Sequence, residues 1–376
     1  MRGVGLGKRR LLRIAAGTGG FALAGGAAAA AVRSRERAAY GMAAEATWQP
    51  VVPTTERAAV LRALVRCATM AANSHNTQPW RFRASDDWIE VTPDFERRCP
   101  AVDPDDHHLF VSLGCATENI VQAAAAFRLR ARPTFAANSG VLRIDLEPAP
   151  TSEGDLFGAI SKRQCTRTEY DGRPVPPDDL RLLEAAGRGP GIELLMFTDR
   201  HWMESFLPLL LAANAAQMGD PAFIAELKAW IRFGYADALA TRDGLFAGAS
   251  GSPVVPAMLG RRLFDLAFTV GGESRKYERQ LRSSAGIAVF VAGQSDVAHW
   301  MQAGRCYQRF ALQATALGLR HAFLNQPVEV PSVRGDFASL AGVAGRRPDL
   351  VVRFGYGPEL PRSLRRPVDQ VLAYKP

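Results

Sequence analysis

Two segments of this chain begin with Gly and end with Leu-Arg: GCATENIVQAAAAFRLR from Gly114 and GRCYQRFALQATALGLR from Gly304. In each, small Ala positions share a helical face with Ile, Val, Leu or Phe, so two such helices can pack closely against one another. A β-like segment follows each helix, around Pro133 to Leu146 and around His321 to Gln326. Each is also preceded by a shorter apolar helix opened by Pro and acidic or hydroxyl residues. These openings are VPTTERAAVLRALVRCATM from Val52 and VPPDDLRLLEAAGRG from Val175. The repetition predicts an α+β fold in which two copies of one unit pack face to face about a pseudo-two-fold axis, a dimer fused into one chain. The boundaries read from the pattern are a leader over 1–44, a first half over 45–156 and a second half over 157–376. Within the second half an insertion spans 220–284, whose aromatic helix and Gly/Ser/Pro loop suit a lid or a peripheral packing element.

The net charge of +9 suggests nucleic acid until it is located. The first 44 residues carry eight basic side chains and one acid, leaving 38 basic against 36 acidic over the rest. A uniformly basic face, and with it nucleic-acid binding, is not supported. Lys8-Arg9-Arg10-Leu11-Leu12-Arg13 precedes an uncharged Ala/Gly-rich run from Ile14 to Val32. That order fits a twin-arginine export signal, with a periplasmic or outer-face location as the consequence and a cytoplasmic one if the leader does not function. Small residues from Ala38 to Ala46 offer cleavage sites, none of which stands out. Five scattered cysteines show no paired spacing, which argues against a disulfide framework or a zinc site.

Chemistry concentrates in three places. NSHNTQPWRF, Asn73 to Phe82, sets amides and hydroxyls beside two aromatics, of which Trp80 and Phe82 read as core. Arg163 and Arg167 stand four apart and can face one side of a turn. Arg362, Arg365 and Arg366 cluster near the end of the sequence, and planar guanidinium forks suit a phosphate. The run DPDDHH, Asp103 to His108, has metal-ligand residue types, yet it fits the capping of the helix through Gly114 better. Neither a dinucleotide GxGxxG nor a Ser-His-Asp set can be assigned.

NSHNTQPWRF resembles the SSxNxQPWxF stretch of the nitroreductase family, and Arg163 to Tyr170 resembles its RRSxRxF/Y segment. WMQAGRCYQRFALQATALGLRHAFLNQPVE and the closing SLRRPV also follow that family's C-terminal half, and two such units behind a twin-arginine leader are closest to its Acg branch. The likeness covers roughly Val51 onward, with departures at His75, at Gln164-Cys165-Thr166, and in a first half that lacks the phosphate segment. It implies a nitroreductase-like fold and FMN as cofactor, in a site drawn from both halves. Implied contacts are Asn73, Ser74, His75, Asn76 and Gln78 at the ring edge, with Asn325 and Gln326 near the flavin. Arg163, Arg167, Arg365 and Arg366 are implied at the phosphate. Because each half keeps one side of the site, one FMN per chain is expected, on a monomer. The implied activity is reduction of nitroaromatics or quinones by NAD(P)H, a small-molecule donor and acceptor meeting at the flavin with no catalytic side chain required. The alternative is a non-catalytic FMN-sequestering protein with the lid over the flavin.

Overall fold

The computed structural model describes residues 30–136, 140–150 and 156–374. The twin-arginine segment and most of the uncharged run after it lie outside them. A helix over residues 30–48, α1, opens the described chain. The first half follows as α2 (Arg57–Thr69), β1 (Trp80–Ser85), β2 (Trp88–Pro93), α3 (His107–Ala124), β3 (Leu129–Ala136) and β4 (Val141–Pro148). A single turn, α4 (Phe157–Ile160), leads to α5 (Pro177–Gly187) and β5 (Ile192–Phe197). Next come α6 (Arg200–Gly219), α7 (Pro221–Trp230), β6 (Ile231–Arg232), α8 (Tyr235–Thr241), β7 (Leu245–Phe246), α9 (Ala257–Ala267) and α10 (Val270–Arg282). The second half resumes with β8 (Gly286–Ala292), α11 (Val297–Ala316), β9 (Arg320–Phe323), α12 (Gln326–Glu329), α13 (Pro331–Leu340) and β10 (Pro348–Gly355), and β11 (Leu372–Tyr374) closes the chain.

The two halves share one sheet topology. Strands lie in the order β1-β2-β4-β3 in the first sheet and β5-β8-β10-β9 in the second. Every neighbouring pair within those two sets is antiparallel. The difference is what separates the first two strands. Between β1 and β2 it is the turn at Asp86-Asp87; between β5 and β8 it is the run from α6 to α10. β8 and β10 are buried along their whole length; β8 accordingly reads as the continuous apolar run GIAVFVA, while β10 carries Asp349 and Arg353 in an otherwise apolar stretch.

The halves meet through α3 and α11, the most extensively packed pair of elements among the described residues. At the crossing, a methyl group on Gly114 would overlap the carbonyl oxygen of Met301, and one on Gly304 would overlap that of Val111. Each clash falls three residues before the partner's glycine, so the contact is symmetric, and only glycine lets the backbones approach this far. The fold is α+β, with two related halves fused as a pseudo-dimer.

Symmetry ends at the termini. After β10 the chain leaves its own sheet and lays β11 parallel to β1, pairing Phe82 with Leu372. On the way, Arg365 donates from Nε to the Thr69 carbonyl (2.8 Å) and from Nη2 to that of Ala71 (3.3 Å) at the end of α2. α1 lies against this arm: Tyr40 donates to the Arg362 carbonyl (2.7 Å) and Trp48 to that of Ser363 (2.8 Å). Tyr40 also stacks on Phe246 and is buried. Much of the small-residue stretch that the sequence offers for cleavage therefore belongs to a packed helix.

Candidate functional site

The loop after α2 explains its own composition. His75, Asn76 and Gln78 all have positive φ, at 45°, 53° and 54°. Such backbone is strained for most side chains, and Asn tolerates it best. The amides hold the loop in place. Asn73 Oδ1 accepts the Gln78 N–H (2.8 Å). Asn76 Nδ2 donates to the carbonyls of Gly244 (3.0 Å) and Leu364 (3.2 Å), and Gly244 N–H returns a bond to Asn76 O (3.0 Å). Gln78 donates to Arg242 O (2.9 Å) and accepts from Arg366 N–H (2.8 Å). The loop thus ties together the first half, the insertion and the C-terminal arm, while Pro79, Trp80 and Phe82 anchor it in the core.

Beside the loop lies a cavity of about 60 Å³ lined by Arg163, Arg167, Arg362 and Arg365, together with Trp48, Asn73, Asn76 and Cys165. Among the described residues, no carboxylate lines it. Arg163 and Arg365 are buried. Arg163 donates to Met70 O (3.0 Å), and its Nε has no partner among the described residues. Trp48 lies under the guanidiniums of Arg362 and Arg365, 5.1 and 4.9 Å from its ring centre. Burial, and then Arg163 nearby, pull Arg365 down to about 9. Buried cations held by carbonyls, a cysteine sulfur and an aromatic face are costly, and an anion in their midst would remove that cost.

A larger cavity of about 560 Å³ adjoins it, sharing Ala72, Asn73, Arg167 and Leu245. Its floor is Ser74, His75, Val111, Ser112 and Cys115; its far wall includes Phe323, Asn325 and Gln326. Its roof comes from the insertion: Phe223, Leu227, Phe233, Phe264 and Phe268. The Gln326 Oε1 is buried without a partner among the described residues. Burial, then Arg167 and His108, push His75 down to about 4, so the imidazole is neutral at physiological pH. At the opposite corner Glu329 accepts from Gln217 (2.6 Å), and burial raises its pKa.

The residues expected from the sequence divide into two groups. Asn73, Ser74, His75, Asn76, Arg163, Arg167, Asn325, Gln326 and Arg365 line one or both cavities. Gln78 and Arg366 line neither. Gln78 is fully buried as the loop's brace, and Arg366 turns to Asp94 at 3.9 Å and to the carbonyls of Gln78 and Gln370. Asn325 spends its side-chain oxygen on Val351 N–H (2.9 Å). In the roof, Tyr235 packs on Tyr40 and Phe246, away from the cavity, and Trp230 lies beneath Arg97 and Arg232. Asp103 caps α3 by accepting from the N–H groups of His108 (3.0 Å) and Leu109 (2.9 Å), the capping role read from the sequence, and it lies together with His107 and His108.

Two contributors are missed by sequence reasoning. Arg353, in the middle of β10, is fully buried over the ring of Tyr170 (4.1 Å). It donates to the carbonyls of Thr166 (3.2 Å) and Thr168 (2.7 Å), fixing the basic segment from behind. Asp243 pairs with both Arg97 and Arg232 and pins the root of the insertion. An Arg inside an apolar strand is the only signal that pointed to the first, and nothing local pointed to the second.

No family model matches the chain. Over 331 residues it is 26% identical to "Putative NAD(P)H nitroreductase Rv3131" of Mycobacterium tuberculosis (strain ATCC 25618 / H37Rv), covering 84% of this chain and 92% of that protein. It is 25% identical to "Putative NAD(P)H nitroreductase acg" of the same strain, over 83% of this chain and 95% of that protein. Among solved structures it is similar to the FMN-dependent nitroreductase NfnB from Mycobacterium smegmatis in complex with NADPH, with a TM-score of 0.38 and 15% identity, over 58% of this chain and 96% of that one. A nitroreductase with bound FMN from Desulfitobacterium hafniense DCB-2 gives a TM-score of 0.37 and 13% identity, over 59% and 99%. Along most of its length, and so across both halves, the chain is thus similar to mycobacterial proteins described as putative NAD(P)H nitroreductases, acg among them.

Proposed function

We propose that the chain binds one FMN, with the phosphate in the small cavity and the ring in the larger one, and serves as a nitroreductase-like oxidoreductase. The observation that carries this reading is the set of four arginines converging on a 60 Å³ space with no carboxylate among the described residues, next to a cavity of about 560 Å³ that shares Arg167 with it. The residues fit the group: Arg163 Nε offers an unused buried donor at one end, and Gln326 Oε1 an unused buried acceptor towards the other. When bound, FMN supplies hydride acceptance from a reduced nicotinamide and donation to an acceptor such as a nitroaromatic or quinone. The chain's own residues position and insulate. Arg163, Arg167, Arg362 and Arg365 neutralise the phosphate. Neutral His75 and the Phe-rich roof present an uncharged, largely apolar surface to the ring, while Arg167, Glu273, Lys276 and Glu329 line the same cavity.

A second reading, flavin sequestration without turnover, is favoured by the way the insertion is fastened. Reciprocal bonds between Asn76 and Gly244, and the Arg97–Asp243–Arg232 cluster, hold its root to the floor of the site. Purified protein should show a flavin spectrum and bind FMN more tightly than riboflavin. Anaerobic NADPH then separates the readings: bleaching of the bound flavin supports the oxidoreductase, and bleaching by dithionite alone supports the store. Export by the twin-arginine route belongs to the same proposal. It is checked by fractionating cells that express the chain and its Arg9→Lys/Arg10→Lys variant; equal distribution of the two would refute it.

A further inference from the structure

Cys165 differs from the other four cysteines. Cys67, Cys99, Cys115 and Cys306 are buried, and burial raises the pKa of each, that of Cys67 to about 12. Cys165 is half-buried and lines the small cavity. Its Sγ lies 3.5 Å from Nη1 of Arg163 and 3.7 Å from the Tyr307 hydroxyl. The Tyr307 hydroxyl is in turn 3.3 Å from Nδ1 of His321, the residue whose backbone bridges to that of Cys165. Two buried groups around the thiol keep unpartnered nitrogens among the described residues, Nε of Arg163, which lines the cavity, and Nε2 of His321. Burial alone would raise the Cys165 pKa; His321, then Arg163 and Arg167, outweigh it and bring the thiol to about 5. The groups facing it are Arg163, Arg167 and Tyr170 on its own segment, Cys115 on α3, Tyr307 on α11, His321 on β9 and Arg365 on the C-terminal arm. Three arginines stand in that list, and their charge favours the thiolate, the nucleophilic form.

We propose that Cys165 is a modification site for hydroperoxides, and that its oxidation closes the arginine cavity to the anionic group the cavity otherwise receives. That this group is the FMN phosphate rests on the reading above. In the step, the thiolate sulfur attacks one peroxide oxygen, the S–O bond forms and the O–O bond breaks. The leaving group, hydroxide from hydrogen peroxide or alkoxide from an organic hydroperoxide, takes a proton from solvent to become water or an alcohol. Sulfur is oxidised by two electrons to sulfenic acid and the peroxide is reduced. The added oxygen takes room in a space of about 60 Å³ and turns toward the same guanidiniums. A bound phosphate dianion, conversely, shields the thiolate and disfavours its charge.

The test uses the full chain freed of flavin, treated with hydrogen peroxide and a sulfenic-acid trap, with each cysteine followed by mass spectrometry. Cys165 should be trapped at least tenfold faster than the other four. Its alkylation by iodoacetamide should persist down to about pH 5, where an ordinary thiol has long since lost reactivity. Inorganic phosphate and FMN should slow that alkylation, riboflavin much less. Oxidised protein should bind FMN at least tenfold more weakly with riboflavin affinity little changed, and dithiothreitol should restore it; Cys165→Ser should keep FMN affinity through peroxide treatment. Trapping of Cys165 no faster than of the buried thiols would overturn the proposal. So would unchanged FMN affinity after stoichiometric oxidation. If untreated protein binds neither FMN nor riboflavin, the FMN reading has failed. The trapping rate and its protection by inorganic phosphate then still decide whether Cys165 is the reactive anion-site thiol.

Discussion

Single side chains at this site do work that their type alone does not announce. Arg365→Ala or Arg163→Ala should weaken FMN by about 1.5–3 kcal/mol, the worth of a hydrogen bond to a charged group, and riboflavin by far less. Competitive fluorescence titration checks this. Arg366→Ala should move neither ligand by more than a few tenths of that, because the side chain faces Asp94. His75 gives a pH signature. Its folded pKa, about 4, lies below that of an exposed imidazole. Between roughly pH 6.5 and 4 the unfolded chain therefore takes up a proton that the folded chain refuses, and stability falls with falling pH. Urea titrations of wild type and His75→Gln should run parallel above about pH 6.5, and the wild type should lose more stability below it. The sequence made the arginines legible through their spacing and the family likeness. It did not show that the amides of Asn76 and Gln78 are spent on a left-handed backbone, because φ leaves only a faint mark on composition.

At the level of elements, two contacts decide whether the site exists. Gly304→Ala pushes a methyl into the Val111 carbonyl and should cost at least about 1–3 kcal/mol, the range for overpacking, whereas Gly158→Ala meets nothing and should be near neutral. Chemical denaturation of both variants measures the difference. Asp243→Asn removes the carboxylate shared by Arg97 and Arg232 and should loosen the insertion's root. Stopped-flow exchange of bound FMN should quicken by about tenfold, equivalent to some 1.4 kcal/mol, with equilibrium stability of the core little affected. The repeated helices were legible because glycine, small residues and Leu-Arg recur in register. The insertion's roof was only half legible. Of its aromatic residues, Trp230 and Tyr235 turn elsewhere, because neighbours distant in sequence, Arg97 and Tyr40, claim those rings.

Across the whole molecule, sequence reasoning recovered the paired architecture, since two copies of one pattern leave few other arrangements. The path of the last twenty residues escaped it, because nothing local shows that β11 will join the other half's sheet. The pseudo-axis now makes a comparison possible. By the match of Gly114 with Gly304, the cavity-lining Val111, Ser112 and Cys115 correspond to Met301, Gln302 and Arg305. Around those counterparts there is a closed network: Glu118 receives Arg305 (3.0 Å) and Arg309 (3.1 Å), and Arg309 donates to the carbonyls of Ala186 (3.0 Å) and Arg188 (2.7 Å). Paired charges thus stand where the larger cavity's floor has Val111, Ser112 and Cys115. Sedimentation should give a monomer, with the surface of a would-be partner already occupied by the chain's own other half. That filled counterpart also has a consequence for communication. A two-site dimer can report the state of one flavin to the other and so bind or react in unequal steps. With one FMN per chain, as proposed, there is no second flavin to inform, so FMN binding should trace a plain hyperbola with a Hill coefficient of about one, and reduction should proceed in a single phase.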